Sequence, residues 1–243
     1  SKQILNMFDP IVNDISTDFS PAPIKFNRET RLYLSCSEST RNNPYFGSQS
    51  LSFSEKSGFI SQWTKPGLNI SVSNKYIFSE KIIQGKNLYL FSKPFYAGFK
   101  VDDFIILSFD DYCFINTPEF VKYRVTSNLL RNVNLSSNID QCSKKSVKVC
   151  FGSAYSGCNI SVIGNCNLDC DSELGEYDAG IISKDRVNFP YFGSSLMFAG
   201  IFSSPEIYRC NVKRLGNKIA ELSKIYSEKI NIISEKDCNS AIG

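Results

Sequence analysis

The chain has 243 residues, is 42% hydrophobic, and carries 27 Lys and Arg against 24 Asp and Glu for a net charge of +3, with no histidine. That length buries a substantial core, while so small a charge gives no electrostatic case for nucleic-acid binding. Without histidine there is no Ser-His-Asp or Cys-His nucleophile, and neither the commonest general base nor the commonest zinc ligand. No P-loop or G-x-G-x-x-G string occurs, so the expectation is no cofactor, no metal and no histidine-dependent catalysis. The question of any enzymatic activity stays open.

In chain order, residues 1–23 read as an extended arm punctuated by Pro10, Pro21 and Pro23. Thr30-Arg31-Leu32-Tyr33-Leu34-Ser35-Cys36 alternates, with Leu32 and Leu34 on one side and Arg31, Tyr33 and Ser35 on the other, as in a half-buried strand. Short strands are expected at 50–53, 59–63, 70–72, 76–78, 88–91, 104–109, 112–115 and 121–126, separated by turn formers such as Lys65-Pro66-Gly67 and Asp110-Asp111. Residues 104–109 are apolar without alternation, which suits a strand covered on both faces. The longest apolar runs, such as Phe104-Ile105-Ile106-Leu107, are too short to span a bilayer. The asparagine-rich stretch 128–138 reads as an exposed connection.

Five of the nine cysteines then cluster: Cys142, Cys150, Cys158 and Cys166 at steps of eight, and Cys170 four later. Around them Ser146-Val147-Lys148-Val149-Cys150 and Asn159-Ile160-Ser161-Val162-Ile163 alternate, each followed by a glycine, so strand–turn–strand units laced by disulfides are expected. With Cys36, Cys113, Cys210 and Cys238 the count is odd, leaving one cysteine unpaired or bonded to another chain. A four-thiolate metal site is the rival reading. Three N-x-[ST] sequons, at Asn69, Asn134 and Asn159, point with the cysteines to an oxidising secretory route. Five carboxylates between Asp169 and Asp178 read as a solvated acidic loop. Val212, Leu215, Ile219, Leu222, Tyr226 and Ile230 recur at helical steps, predicting one amphipathic C-terminal helix, with Cys210 and Cys238 bracketing it.

The expected fold is therefore mainly β, in sandwich- or barrel-like short strands, with a disulfide-rich region and that helix; α+β is the minor alternative. The organisation expected is one ectodomain over 1–243, with a β-rich part over 1–135 and a cysteine-rich part plus helix over 136–243. Pro-Tyr-Phe-Gly-Ser occurs twice, at 44–48 and 190–194. It marks two loops, 41–47 and 188–195, as aromatic binding candidates through Arg41, Tyr45, Phe46, Tyr191 and Phe192.

The segment Thr30 to Cys36 resembles, over those seven residues, a segment of influenza-type viral neuraminidases in which an arginine precedes a strand ending in cysteine. That resemblance implies a carboxylate-gripping role for Arg31. The reading is then the ectodomain of a secreted or virion-surface glycoprotein, extracellular, with any anchor outside this sequence. It would bind a host cell-surface protein or glycan, with a partner chain through an odd cysteine as a further possibility. A sialidase-like glycoside hydrolase and a structural coat protein are the alternatives.

Overall fold

The computed structural model describes residues 23–38, 47–57, 62–67, 69–72, 75–127, 130–152, 156–164 and 177–235. The protein is mostly β; its described residues form two six-stranded sheets, three helices and three disulfides. The arm over 1–22, most of the 41–47 loop, most of the 59–63 strand and nearly all of the acidic loop lie outside the described residues.

The first sheet has the order β3-β2-β1-β5-β6-β4. Its strands are β1 (Ile24–Ser37), β2 (Ser48–Glu55), β3 (Ile70–Val72), β4 (Tyr76–Phe78), β5 (Ile82–Tyr96) and β6 (Lys100–Ser108). Leu32 and Leu34 of β1 are buried as the alternation predicts. In β6, Phe104 and Ile106 join one core while Ile105 and Leu107 join a second on the opposite face, so the strand is covered on both sides. The second core lies inside a curl of this sheet. The Gln49 side chain of β2 donates to Ile77 O (2.7 Å) and accepts from Ile77 N (2.8 Å), sewing one flank of the sheet to its far edge strand β4. That amide replaces a rung of the ladder and brings the sheet toward barrel closure.

The second sheet has the order β12-β11-β10-β9-β7-β8. It comprises β7 (Tyr112–Ile115), β8 (Val133–Ser136), β9 (Val147–Phe151), β10 (Ile160–Gly164), β11 (Ala179–Lys184) and β12 (Val187–Phe192). β8, β7, β9 and β10 are mutually parallel, and β11 and β12 are antiparallel. The expected hairpins among the cysteines are therefore corrected: β9 and β10 run the same way, so the chain between them crosses back. Parallel neighbours need such crossovers, and α1 (Glu119–Thr126) supplies the one from β7 to β8. This overturns the strand expected at 121–126. Val121, Tyr123 and Val125 alternate in sequence as in a strand, but a helix puts residues two apart on opposite faces, so Val121 is buried and Tyr123 is 71% exposed. Pro118, which has no N–H to leave unpaired, starts the helix.

Between the sheets lies α2 (Gly193–Phe202), buried from Ser195 to Phe202. Phe91 and Tyr112 from the two sheets both meet Phe202, at 5.1 and 4.4 Å between ring centres. α3 (Pro205–Glu235) follows. Its first turns seat Ile207 in the second core and Tyr208 and Leu215 in the first. Beyond Tyr226, whose ring packs on Phe99, it runs out past the packed body.

Lys93 of β5 points into the space between sheet and helix. It is buried, with its Nζ 5.3 Å from the centre of the Phe198 ring. Burial pushes its ammonium down to about 8. Below that pH the folded chain holds a proton against the cost of desolvation. As pH rises from 8 toward the ordinary lysine value near 10.5, the folded state sheds that proton before the unfolded state does, and stability rises. Tyr76, Tyr112 and Tyr208, pushed up by burial, reverse the trend above about pH 10, because only the unfolded chain then ionises them. Denaturant titrations are expected to show roughly 1–2 kcal/mol gained between about pH 7 and 9.5. Lys93→Met should flatten the rise; a flat wild-type profile contradicts it.

Candidate functional site: a lysine-rimmed cleft on the second sheet

β7, β9 and β10 all begin at one rim of the second sheet, and antiparallel β11 ends there: Tyr112 pairs with Val147, and Ile160 with Lys184. The rim encloses a cleft of about 500 Å³. Two disulfides fix its walls. Cys113–Cys142, with Cα atoms 5.8 Å apart, holds the turn that carries Lys144 and Lys145. In that turn Ser146 donates to Ser143 O through its N–H (3.1 Å) and its hydroxyl (2.8 Å). Cys150–Cys158, Cα atoms 6.1 Å apart, draws the β9–β10 crossover tight and delivers Asn159 to the opposite wall. Asn159 then pairs twice with Lys148: its N–H donates to Lys148 O (2.9 Å) and its Oδ1 accepts from Lys148 N (2.8 Å). The floor turn, Asp185-Arg186, has both residues left-handed (φ 52° and 61°), as a two-residue hairpin between β11 and β12 demands.

The charges in the cleft divide by role. Lys184 is buried; its Nζ donates to Ile201 O (3.1 Å) and Ser203 O (2.9 Å), satisfying carbonyls at the end of α2, and it pairs with Glu80. That cation is structural. Asp110, open to solvent on one side, has its carboxyl pushed up, chiefly by desolvation and then by Asp111; Lys184 opposes the shift. Tyr112 is pushed up by burial. Lys144 and Lys145 are exposed, Lys148 is half-buried, and none of the three forms an ion pair among the described residues. No nucleophile–base pair is assembled in the cleft, and among the described residues no group of three His, Cys, Asp or Glu is placed to hold a metal ion. With Asp185 the cleft holds four lysines and three carboxylates, and of these Lys184 and Glu80 are paired with each other.

The residues singled out from the sequence go elsewhere. Arg31 stands on β1 with Nε and Nη2 both donating to Gln84 Oε1 (2.9 and 2.7 Å) and its guanidinium 4.0 Å from the centre of the Trp63 ring. One edge and one face are thus already engaged, and a carboxylate grip there would have to displace Gln84. Beside it, the Tyr33 hydroxyl is held below its ordinary range by its hydrogen bond to Ser54 and then by Arg31. Arg41, Tyr45 and Phe46 lie outside the described residues. The 188–195 loop is corrected to the end of β12 and the start of α2. Tyr191 is core, 4% exposed, its hydroxyl tucked against Gly180, where a Cβ would sit 2.7 Å from it; only Phe192, 68% exposed, faces out. Asp102 pairs with Lys218 and Asp103 with Lys100. Cys210 lies inside α3 and bonds Cys36, so it does not pair with Cys238.

Asn69, Asn134 and Asn159 are all exposed, Asn134 on the edge strand β8. In Asn159 the bond to Lys148 uses Oδ1 and not Nδ2, the atom a glycan occupies. Sequence reasoning missed the cleft, although Ser-Lys-Lys-Ser-Val-Lys inside the cysteine cluster places three lysines in five residues.

No family model, no curated protein and no solved structure matches this chain.

Proposed function

We propose that this chain is a binding module of an extracellular or virion-surface glycoprotein, taking the carboxylate or sulfate groups of a host cell-surface glycan in the cleft of the second sheet. The observation that carries this reading is the trio Lys144, Lys145 and Lys148, without ion pairs among the described residues, on walls fixed by two disulfides. Three described disulfides fit an oxidising compartment, and exposed sequon asparagines fit passage through it. Fixed cationic walls lower the ordering cost of capturing an anion. Asn159 lines the same cleft, so a glycan on it and a ligand inside it exclude each other.

Arrays of sialylated, sulfated and neutral glycans test the reading. Binding is expected to the acidic members only, to weaken with added salt, and to fall at least about tenfold in Lys144→Glu/Lys145→Glu, the equivalent of ~1.4 kcal/mol. Asn159→Gln should bind at least as well as the wild type. Silence on every acidic glycan, or binding indifferent to the lysine substitutions, refutes the site.

A further inference from the structure

The outer half of α3 carries an apolar face that the rest of the described chain leaves uncovered. Ile225 is 58% exposed, Ile230 61%, Ile232 54% and Tyr226 43%. Tyr226 marks the limit of the packed body, its ring 4.7 Å from that of Phe99. From Ser223 to the end of the helix is about 20 Å at 1.5 Å per residue. Placed at 100° per residue, Ile219, Leu222, Ile225, Tyr226, Ile230, Ile232 and Ile233 fill one arc of about 160°, and Ser223, Lys224, Ser227, Glu228, Asn231 and Ser234 fill the other. Lys229 alone interrupts the apolar arc. A helix has no reason to keep so clean a division two turns beyond its own domain unless a second surface covers it.

We propose that this face pairs with the same face of a second copy of the chain, the two helices running antiparallel. Lys229 decides the direction. A parallel pair stacks Lys229 on its own copy in the middle of the seam. An antiparallel pair that sets Leu222 against Ile233 and Ile225 against Ile230 places Lys229 beside Tyr226 twice, where the ring face takes up the ammonium. The area fits: covering these side chains on two copies removes on the order of 1,000 Å² from water, the threshold of a specific interface. The seam lies on α3, apart from the cleft of the second sheet, so the pairing stands whether or not the cleft binds glycans.

Analytical ultracentrifugation with thiols blocked, from about 1 to 100 μM, tests it. The wild type is expected to show a reversible dimer of the 27.3 kDa chain. Ile225→Glu/Ile230→Glu should dissociate at least tenfold more readily, yet melt at the wild-type temperature at concentrations where both proteins are monomers, because both side chains are more than half exposed. Spin labels on Ser234→Cys, in a Cys238→Ser background, should lie further apart across the dimer than labels on Ser227→Cys; equal separations mean parallel pairing and overturn the register. A wild type monomeric throughout, or a dimer that survives the double substitution, overturns the interface. So does a monomer in which the glutamates expose residues 1–22 to protease, which would seat the chain's own N-terminal segment on the face.

Discussion

Replacing Cys36 and Cys210 by alanine is expected to cost about 5 kcal/mol, the largest loss from any of the three cross-links. This bond joins β1 to α3 across 174 residues, with Cα atoms 6.2 Å apart. Closing so long a loop removes more disorder from the unfolded chain than a short bridge does, and the loss grows with the logarithm of loop length. By the same relation Cys113–Cys142, separated by 29 residues, is worth ~3.5 kcal/mol. Cys150–Cys158, separated by 8, is worth ~2.5 kcal/mol. Domains are stable by only about 5–15 kcal/mol, so the first removal is expected to leave the chain marginal at 37 °C and the third to leave it folded. Urea midpoints of the three paired-alanine variants check the order. A ranking with Cys150–Cys158 first would mean that local geometry, not loop closure, sets the contribution.

Arg214→Ala is expected to cost roughly 3–5 kcal/mol. The residue is fully buried on α3. Its Nη1 donates to Asn211 Oδ1 (2.8 Å) and to Lys75 O (3.3 Å), Nη2 reaches the same carbonyl (3.3 Å), and its guanidinium lies 4.9 Å from the centre of the Tyr76 ring. Asn211 passes the connection on, donating to Ile77 O (2.8 Å), the carbonyl that Gln49 also holds. One arginine thereby ties α3 to β4 at the place where β2 closes onto it. Truncation takes the guanidinium donors away from the Lys75 carbonyl and the Asn211 amide oxygen and leaves a cavity. Arg214→Lys should recover little, since one ammonium cannot replace a planar fork that bonds and stacks at once. An alanine variant within about 1 kcal/mol of wild type would show the network to be dispensable.

The strands were legible because alternation survives wherever one face is polar. Leu32 and Leu34, and Phe104 to Leu107 of β6, behave as their pattern demands. Pairing direction was not legible: Val147–Phe151 and Ile160–Gly164 look the same whether a hairpin or a crossover joins them. α2 escaped because it is apolar all round; Leu196-Met197-Phe198-Ala199-Gly200-Ile201-Phe202 has no polar face to set a period, being enclosed by both sheets. α3 was legible in its stripe but not at its start, although Ser204, which caps Ile207 N, and Pro205 at the first helical position form a start signal ahead of that stripe. The cleft was hidden for a different reason. Lys144 to Lys148, Glu80 and Lys184 come from three separate stretches, and only the sheet order and two disulfides bring them to one rim.

Six sulfurs oxidised in three particular pairs hold β1 to α3 and fix the walls of the cleft. A peptide map of the natively produced chain, alkylated at low pH before digestion and never reduced, reads this directly. It should yield cross-linked peptides joining Cys36 to Cys210, Cys113 to Cys142 and Cys150 to Cys158. Recovery of those six cysteines singly alkylated, or joined in other combinations, would contradict the fold, the fixed walls of the cleft and the extracellular reading together.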